Sequence, residues 1–181
     1  MRIGIVRHFK VNCNKRFFMT PDDLKLWEDT YNKSTVTRND VNLQKIKWDK
    51  CYCSTLSRAI KTAQDIFKGE IIRTPLICET VIDPVYKHKI RIPYHFHSVL
   101  SRASWYLNGK SQTETKATTK KKANEFIDIL LENNKKDHLD NILVVTHGFF
   151  MFTLQRELKK RGFKGKITIA PKNGTLYLYQ N

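Results

Sequence analysis

The chain has 181 residues, 40% of them hydrophobic and 11% aromatic, which suits one globular domain with a sizeable core. No apolar run approaches the ~20 residues of a membrane span, and the apolar opening is too short for a secretory signal, so a cytoplasmic protein with no membrane partner is expected. Lys and Arg number 33 against 17 Asp and Glu, and the net charge of +16 favours anionic partners, although no specific nucleic-acid module is evident.

In chain order, the β-branched apolar run at residues 2–6 predicts a strand that delivers Arg7 and His8 at its end. Thr20-Pro21-Asp22-Asp23 marks a helix start, with a capping oxygen and proline at the first helical position. A second strand is expected at about 50–54. It carries Cys51 and Cys53, which share a face at that spacing and read as packed, reduced thiols rather than zinc ligands. Residues 55–67 place Leu56, Ala59, Ile60, Ala63 and Phe67 at helical spacing, and a third strand follows at about 70–73. Residues 80–112 break the alternation; they are rich in His, Tyr, Arg and Trp and contain Pro84 and Pro93. Within them His95-Phe96-His97 would put two imidazoles on one face if extended, a polar lining in preference to a metal site.

A helix is expected over 114–134 and another over 149–161, ended by Gly162. Their lysine runs at 120–122 and 135–136 read as solvated faces. Strands are expected at 141–146 and, after the Asn173-Gly174 turn, at 175–179. The alternation predicts an α/β fold: a three-layer sandwich with a mostly parallel central sheet and helices on both faces, one domain over residues 1–181.

Three apolar runs thus end in, or lead into, a cationic or titratable group: Arg7-His8, then Ser54 leading to Arg58, then His147-Gly148. Parallel sheets bind ligands just beyond the carboxyl ends of their strands, so these groups point to one anion site. The segments Arg7-His8, Ser54-Thr-Leu-Ser-Arg58-Ala59-Ile-Lys-Thr62-Ala63 and Thr146-His147-Gly148 resemble, in order and spacing, the motifs of the histidine phosphatase superfamily, the phosphoglycerate-mutase-like proteins.

The resemblance implies a metal-independent phosphatase without cofactor, acting on a phosphomonoester, a phosphorylated small molecule, through a phosphohistidine. His8 would be the nucleophile. Arg7 and Arg58 would fork onto the phosphoryl oxygens, and His147 would donate to them. Asn14, seven residues after Arg7, falls where the mutase-type motif places an Asn on the phosphate. The general acid would be Glu79, in Leu76-Ile-Cys-Glu79, or else Asp83. An insertion at about 80–112 would form a cap over the site. There Lys87, His88, Lys89 and Arg91, beside Tyr94, Phe96, Trp105 and Tyr106, could meet a second anionic group of the substrate or face water. The first motif departs from the family, with Phe9 for Gly, Lys10 for Glu or Gln, and Val11 for Ser or Thr. That departure leaves two alternatives in view, a phosphoglycerate mutase and a non-catalytic phosphate-binding module. Oligomeric state is not fixed by the sequence.

Overall fold

The structure, a computed structural model, describes residues 1–181 except 82, 87–89, 138 and 139. Strand β1 (Arg2–Arg7) opens the chain, followed by the two-residue strands β2 (Lys10–Val11) and β3 (Phe18–Met19). Helix α1 (Pro21–Lys33) starts at Thr20, whose hydroxyl accepts from the Asp23 N–H while the Asp23 carboxylate accepts from the Thr20 N–H. Next come β4 (Val36–Thr37), β5 (Lys50–Ser54), α2 (Ser57–Ile66) and β6 (Ile71–Thr74). After the short strand β7 (Ile92–Pro93) follow α3 (Tyr94–Tyr106) and α4 (Lys116–Asp137), then β8 (Asn141–Thr146), α5 (Gly148–Lys160) and β9 (Leu176–Gln180).

Five strands form the main sheet in the order β6-β5-β8-β1-β9. The first four run parallel and β9 runs antiparallel to β1. Side chains alternate between two cores. On one face Ile3, Ile5, Tyr52, Ile142 and Val144 pack against Phe126, Ile127 and Leu130 of α4 and Phe150, Leu154 and Leu158 of α5. On the other, Val6, Cys51, Cys53, Leu143 and Val145 pack with Trp48 and with Ala59 and Ala63 of α2. The shared face of Cys51 and Cys53 is therefore a core face, and both thiols are free. Both sheet faces are covered, as the alternating pattern requires.

Register brings the site together. Arg7 pairs with Thr146, and Cys53 pairs with Val145, so β1, β5 and β8 end level. His8, Ser54 and His147 consequently leave the same edge of the sheet.

Helix α3 lies inside the segment where the sequence showed no regular element. Its buried face is His97, Ser101 and Trp105, two of them polar, so no apolar period announces it. The helix also separates two histidines that an extended chain would have aligned. His97 is buried, with Nε2 2.8 Å from the Met19 carbonyl, and His95 is exposed. Positions two apart on a helix face different ways.

Candidate active site

The groups at the strand ends are held both by contacts within and between the motifs and by residues far away in sequence. His8 is only 2% exposed. Its Nδ1 lies 2.6 Å from the Phe9 carbonyl, which can only accept, so Nδ1 carries the proton and Nε2 keeps a free lone pair. The Phe9 N–H donates to Thr62 Oγ1, and Thr62 donates to the Arg58 carbonyl, tying the first motif to the second. From the opposite side Asn173 Nδ2 donates to the His8 carbonyl at 2.6 Å, and the Gly174 N–H donates to the Arg7 carbonyl at 2.8 Å. Gly174 sits at φ +58°, and a Cβ there would meet the Asn39 amide.

Arg7 extends from the end of β1, and its guanidinium donates to the Pro171 carbonyl at 2.8 Å. It passes so close to the start of α5 that a Cβ on Gly148 would lie 3.0 Å from its guanidinium carbon. This is the physical reason for glycine after His147. Arg58, in the first turn of α2, donates to Asn32 Oδ1 at 2.6 Å and stacks over the Tyr31 ring at 5.0 Å. His147 is fully buried, with its ring centroid 5.1 Å from that of His8. Its Nε2 is 2.7 Å from Ser54 Oγ.

Three nitrogens of this cluster are buried without a partner among the described residues: Arg7 Nε, Arg58 Nε and His147 Nδ1. A buried donor left unmade costs about 1–3 kcal/mol, so several together mark a place where an anion completes the bonding. Burial, with Arg58 and then Arg7 adding repulsion, lowers the His8 pKa to about 3 against the hydrogen bond to Phe9. Burial first, then Arg58, His8 and Arg7, likewise hold His147 well below the ordinary histidine value. Both imidazoles are neutral near pH 7.

Glu79 meets the start of α5, accepting from the Phe150 N–H at 2.9 Å and from the Thr80 N–H at 3.2 Å. Burial raises its pKa despite those bonds and despite Arg58. Arg7, His8, Arg58 and Glu79 line one cavity of about 280 Å³, and His147, fully buried beside His8, is not among its lining residues. Asp83 is not among its lining residues; its carboxylate accepts from the Thr113 N–H, tying two loops together. Asn14 is not brought to this cavity either. It is exposed, lines a neighbouring hollow with Arg16, Met19 and Asp23, and its carbonyl accepts from Trp27 Nε1. Phe9 is fully buried and is not part of the lining, so its bulk does not fill the site.

The cavity's other wall was anticipated in part, since Tyr94 and His97 of the expected cap line it, but the contribution of α1 was not. Leu24, Trp27, Glu28, Tyr31 and Asn32 of α1 line it, at the i, i+3, i+4, i+7, i+8 spacing of a single helix face. Counting forward from the capped start at Thr20 would have exposed that mixed aromatic and polar stripe. From α3 come Tyr94, His97, Ser98, Ser101 and Arg102. Of the expected cap cations, Arg91 is exposed and does not line the cavity, and Lys87, His88 and Lys89 lie outside the described residues. Lys15 and Arg102 line it instead. Among the described residues no group of three or more His, Cys, Asp or Glu is placed to hold a metal.

Comparison with known proteins agrees with this geometry. The family model of the histidine phosphatase superfamily, branch 1, matches residues 3–180. A search among curated proteins returns no match. Among solved structures, a phosphoglycerate mutase from Bacillus anthracis is 14% identical, with a TM-score of 0.59 over 98% of this chain and 86% of that one. A phosphoserine phosphatase from Entamoeba histolytica, solved as a mutant with phosphoserine, is 19% identical, with a TM-score of 0.54 over 88% and 80%. A putative α-ribazole-5'-phosphate phosphatase from Escherichia coli is 19% identical, with a TM-score of 0.53 over 87% and 79%. With its three motifs gathered at one sheet edge and the family model covering nearly its whole length, the chain belongs to the histidine phosphatase superfamily.

Proposed function

We propose that the protein is a metal-independent phosphomonoesterase that works through a phosphohistidine on His8. The observation that carries this reading is the state of His8: neutral, pinned through Nδ1, with Nε2 free beside two arginines. The Nε2 lone pair attacks phosphorus, and the phosphorus–oxygen bond to the leaving group breaks. Glu79 protonates the departing oxygen, which its raised pKa allows. Its carboxylate then takes a proton from the water that attacks phospho-His8, releasing phosphate and restoring both groups.

Arg7 and Arg58 supply planar, permanently charged donors for the equatorial oxygens. His147 supplies another in the tautomer that keeps its proton on Nδ1, with Ser54 Oγ donating to Nε2 and not to Cys78 Sγ at 3.1 Å; Nδ1 has no partner among the described residues. These donors are fixed before substrate arrives, which is where such sites gain most of their rate.

The upper half of the cavity favours a phosphomonoester with a second anionic group. Lys15 sits 4.3 Å from the Tyr94 ring centroid and 5.2 Å from that of Trp27, and Arg102 lies 5.0 Å from that of Phe149. Neither cation pairs with a carboxylate among the described residues. The structurally similar proteins include a mutase and phosphatases, so transfer of the phosphoryl group to water is what must be measured.

The role of Glu79 gives the test. Glu79→Gln should slow hydrolysis of an alkyl phosphate, a poor leaving group, by ~100-fold or more, while an activated aryl phosphate loses far less. Equal losses on both substrates would remove Glu79 as the acid. Absence of phosphate release from either substrate by the unmodified protein would favour the binding-module reading.

A further inference from the structure

Helix α3 is built inside out. The side toward the cavity carries His97, Ser98, Ser101 and Arg102. The side toward solvent carries Phe96, Val99, Leu100 and Ala103, at the i, i+3, i+4 and i+7 positions of one stripe, and Leu107 follows at the helix cap. Phe96 is 63% exposed, Val99 66% and Leu107 77%. The stripe continues at the start of the helix. Phe17 and Phe18 are both more than half exposed, β3 pairs with β7, and the Tyr94 N–H donates to the Phe17 carbonyl. Scattered apolar side chains on a surface are ordinary, but a continuous stripe on an amphipathic helix marks something that covers it.

Charge identifies the covering partner. The chain has no Asp or Glu over residues 1–21 or over residues 84–113. Exposed Arg16 and Arg91 stand at the start of the helix, and exposed Lys110 follows its end. A second copy would bring another +16 of charge against this face. Nucleic acid would use the cations but leave the phenylalanines and leucines in water. An aromatic and aliphatic stripe with flanking cations, of which Arg91 and Arg16 also feel the Asp23 carboxylate, matches the boundary between headgroups and acyl chains of an anionic bilayer.

We propose that the outer face of α3, with Phe17 and Phe18, docks the protein on an anionic lipid surface, apolar side chains entering the bilayer boundary and Arg16, Arg91 and Lys110 meeting lipid phosphates. A surface contact of this kind needs no span. Among the described residues no helix is long and apolar enough to cross a membrane.

Flotation of the full chain with vesicles tests the proposal. It should float with phosphatidylcholine vesicles that contain phosphatidylserine and stay behind with phosphatidylcholine alone. The combined change Phe96→Ser, Val99→Ser and Leu100→Ser should weaken partitioning by roughly tenfold or more, with aryl phosphate turnover and melting temperature kept. Should that variant fail to fold, Phe17→Ser with Phe18→Ser probes the same face from another element. Undiminished partitioning in the folded variants, or no flotation with the anionic vesicles, would overturn the proposal. So would a stable dimer in sedimentation that these substitutions break, because a second copy would then be the cover.

Discussion

On the floor of the cavity each charged or nucleophilic group is fixed by short bonds to the backbone or to a side chain. His8 is held to Phe9, Thr62 fixes the Phe9 N–H, Asn173 and Gly174 hold the His8 and Arg7 carbonyls, and Asn32 anchors Arg58. The roof, made by α1 and α3, is joined largely through rings: Trp27 meets Tyr94 at 5.5 Å, and Lys15 rides over both. The difference separates two tasks. Stabilising a phosphoryl transfer state needs donors set beforehand, because reorganisation during the reaction costs rate. Selecting a substrate body needs shape and charge that aromatic walls and mobile cations supply.

Substitutions on the floor should therefore act on the chemical step. Arg58→Ala and His147→Ala should each lower kcat/KM by about 10²–10³, roughly 3–4 kcal/mol, on every phosphomonoester tried. Steady-state kinetics with an alkyl and an aryl substrate would show it. A near wild-type rate in folded Arg58→Ala protein would break the assignment.

The buried histidines also couple folding to pH. Their folded pKa values lie below the unfolded value near 6.5, with His8 lowered to about 3 and His147 well below the ordinary value. The unfolded chain thus binds more protons below about pH 6.5, and stability falls as pH falls, by up to ~1.4 kcal/mol per pH unit for each histidine. Glu79 opposes this, because its raised folded pKa makes the native state the better proton binder as pH falls toward the ordinary carboxylate range. Denaturant melts between pH 7.5 and 5 should show a net decline, shallower in His147→Gln. A profile that His147→Gln leaves unchanged would mean that the His147 imidazole is not held neutral.

Roof substitutions should give the smallest and most selective effects. Lys15→Ala or Arg102→Ala should raise KM several-fold, about 1 kcal/mol each, for a phosphoester with a second anionic group. The kcat for a simple aryl phosphate should barely change. Equal effects on both substrates would place these cations in the chemistry rather than in selection.

The floor was legible in the sequence because it is encoded locally. Strand, turn and helix start follow one another within each motif, and the type of residue dictates the chemistry. Thr62 and Gly148 lie in those same motifs for reasons the structure makes physical: one fixes the loop after His8, the other makes room for Arg7. The roof was legible only in part: Thr20 marked the start of α1, and Tyr94 and His97 fell in the expected cap. Helix α3 buries polar residues and exposes apolar ones, which inverts the signal that reveals a helix, and Lys15 reaches the cavity only through tertiary contacts. Asn14 shows the limit of carrying a role over by spacing. The β2 to β3 segment turns so that Lys15 lines the cavity and Asn14 lines the neighbouring hollow.

If the protein works as proposed, the phosphoryl group passes through His8. Rapid acid-free quenching of the protein with a labelled phosphomonoester, followed by peptide mapping, tests it most directly. One acid-labile, base-stable phosphoryl group should form on His8 within a single turnover and be missing in His8→Ala, which should also lose turnover. Steady hydrolysis with no phosphohistidine, or undiminished hydrolysis by folded His8→Ala protein, would contradict it.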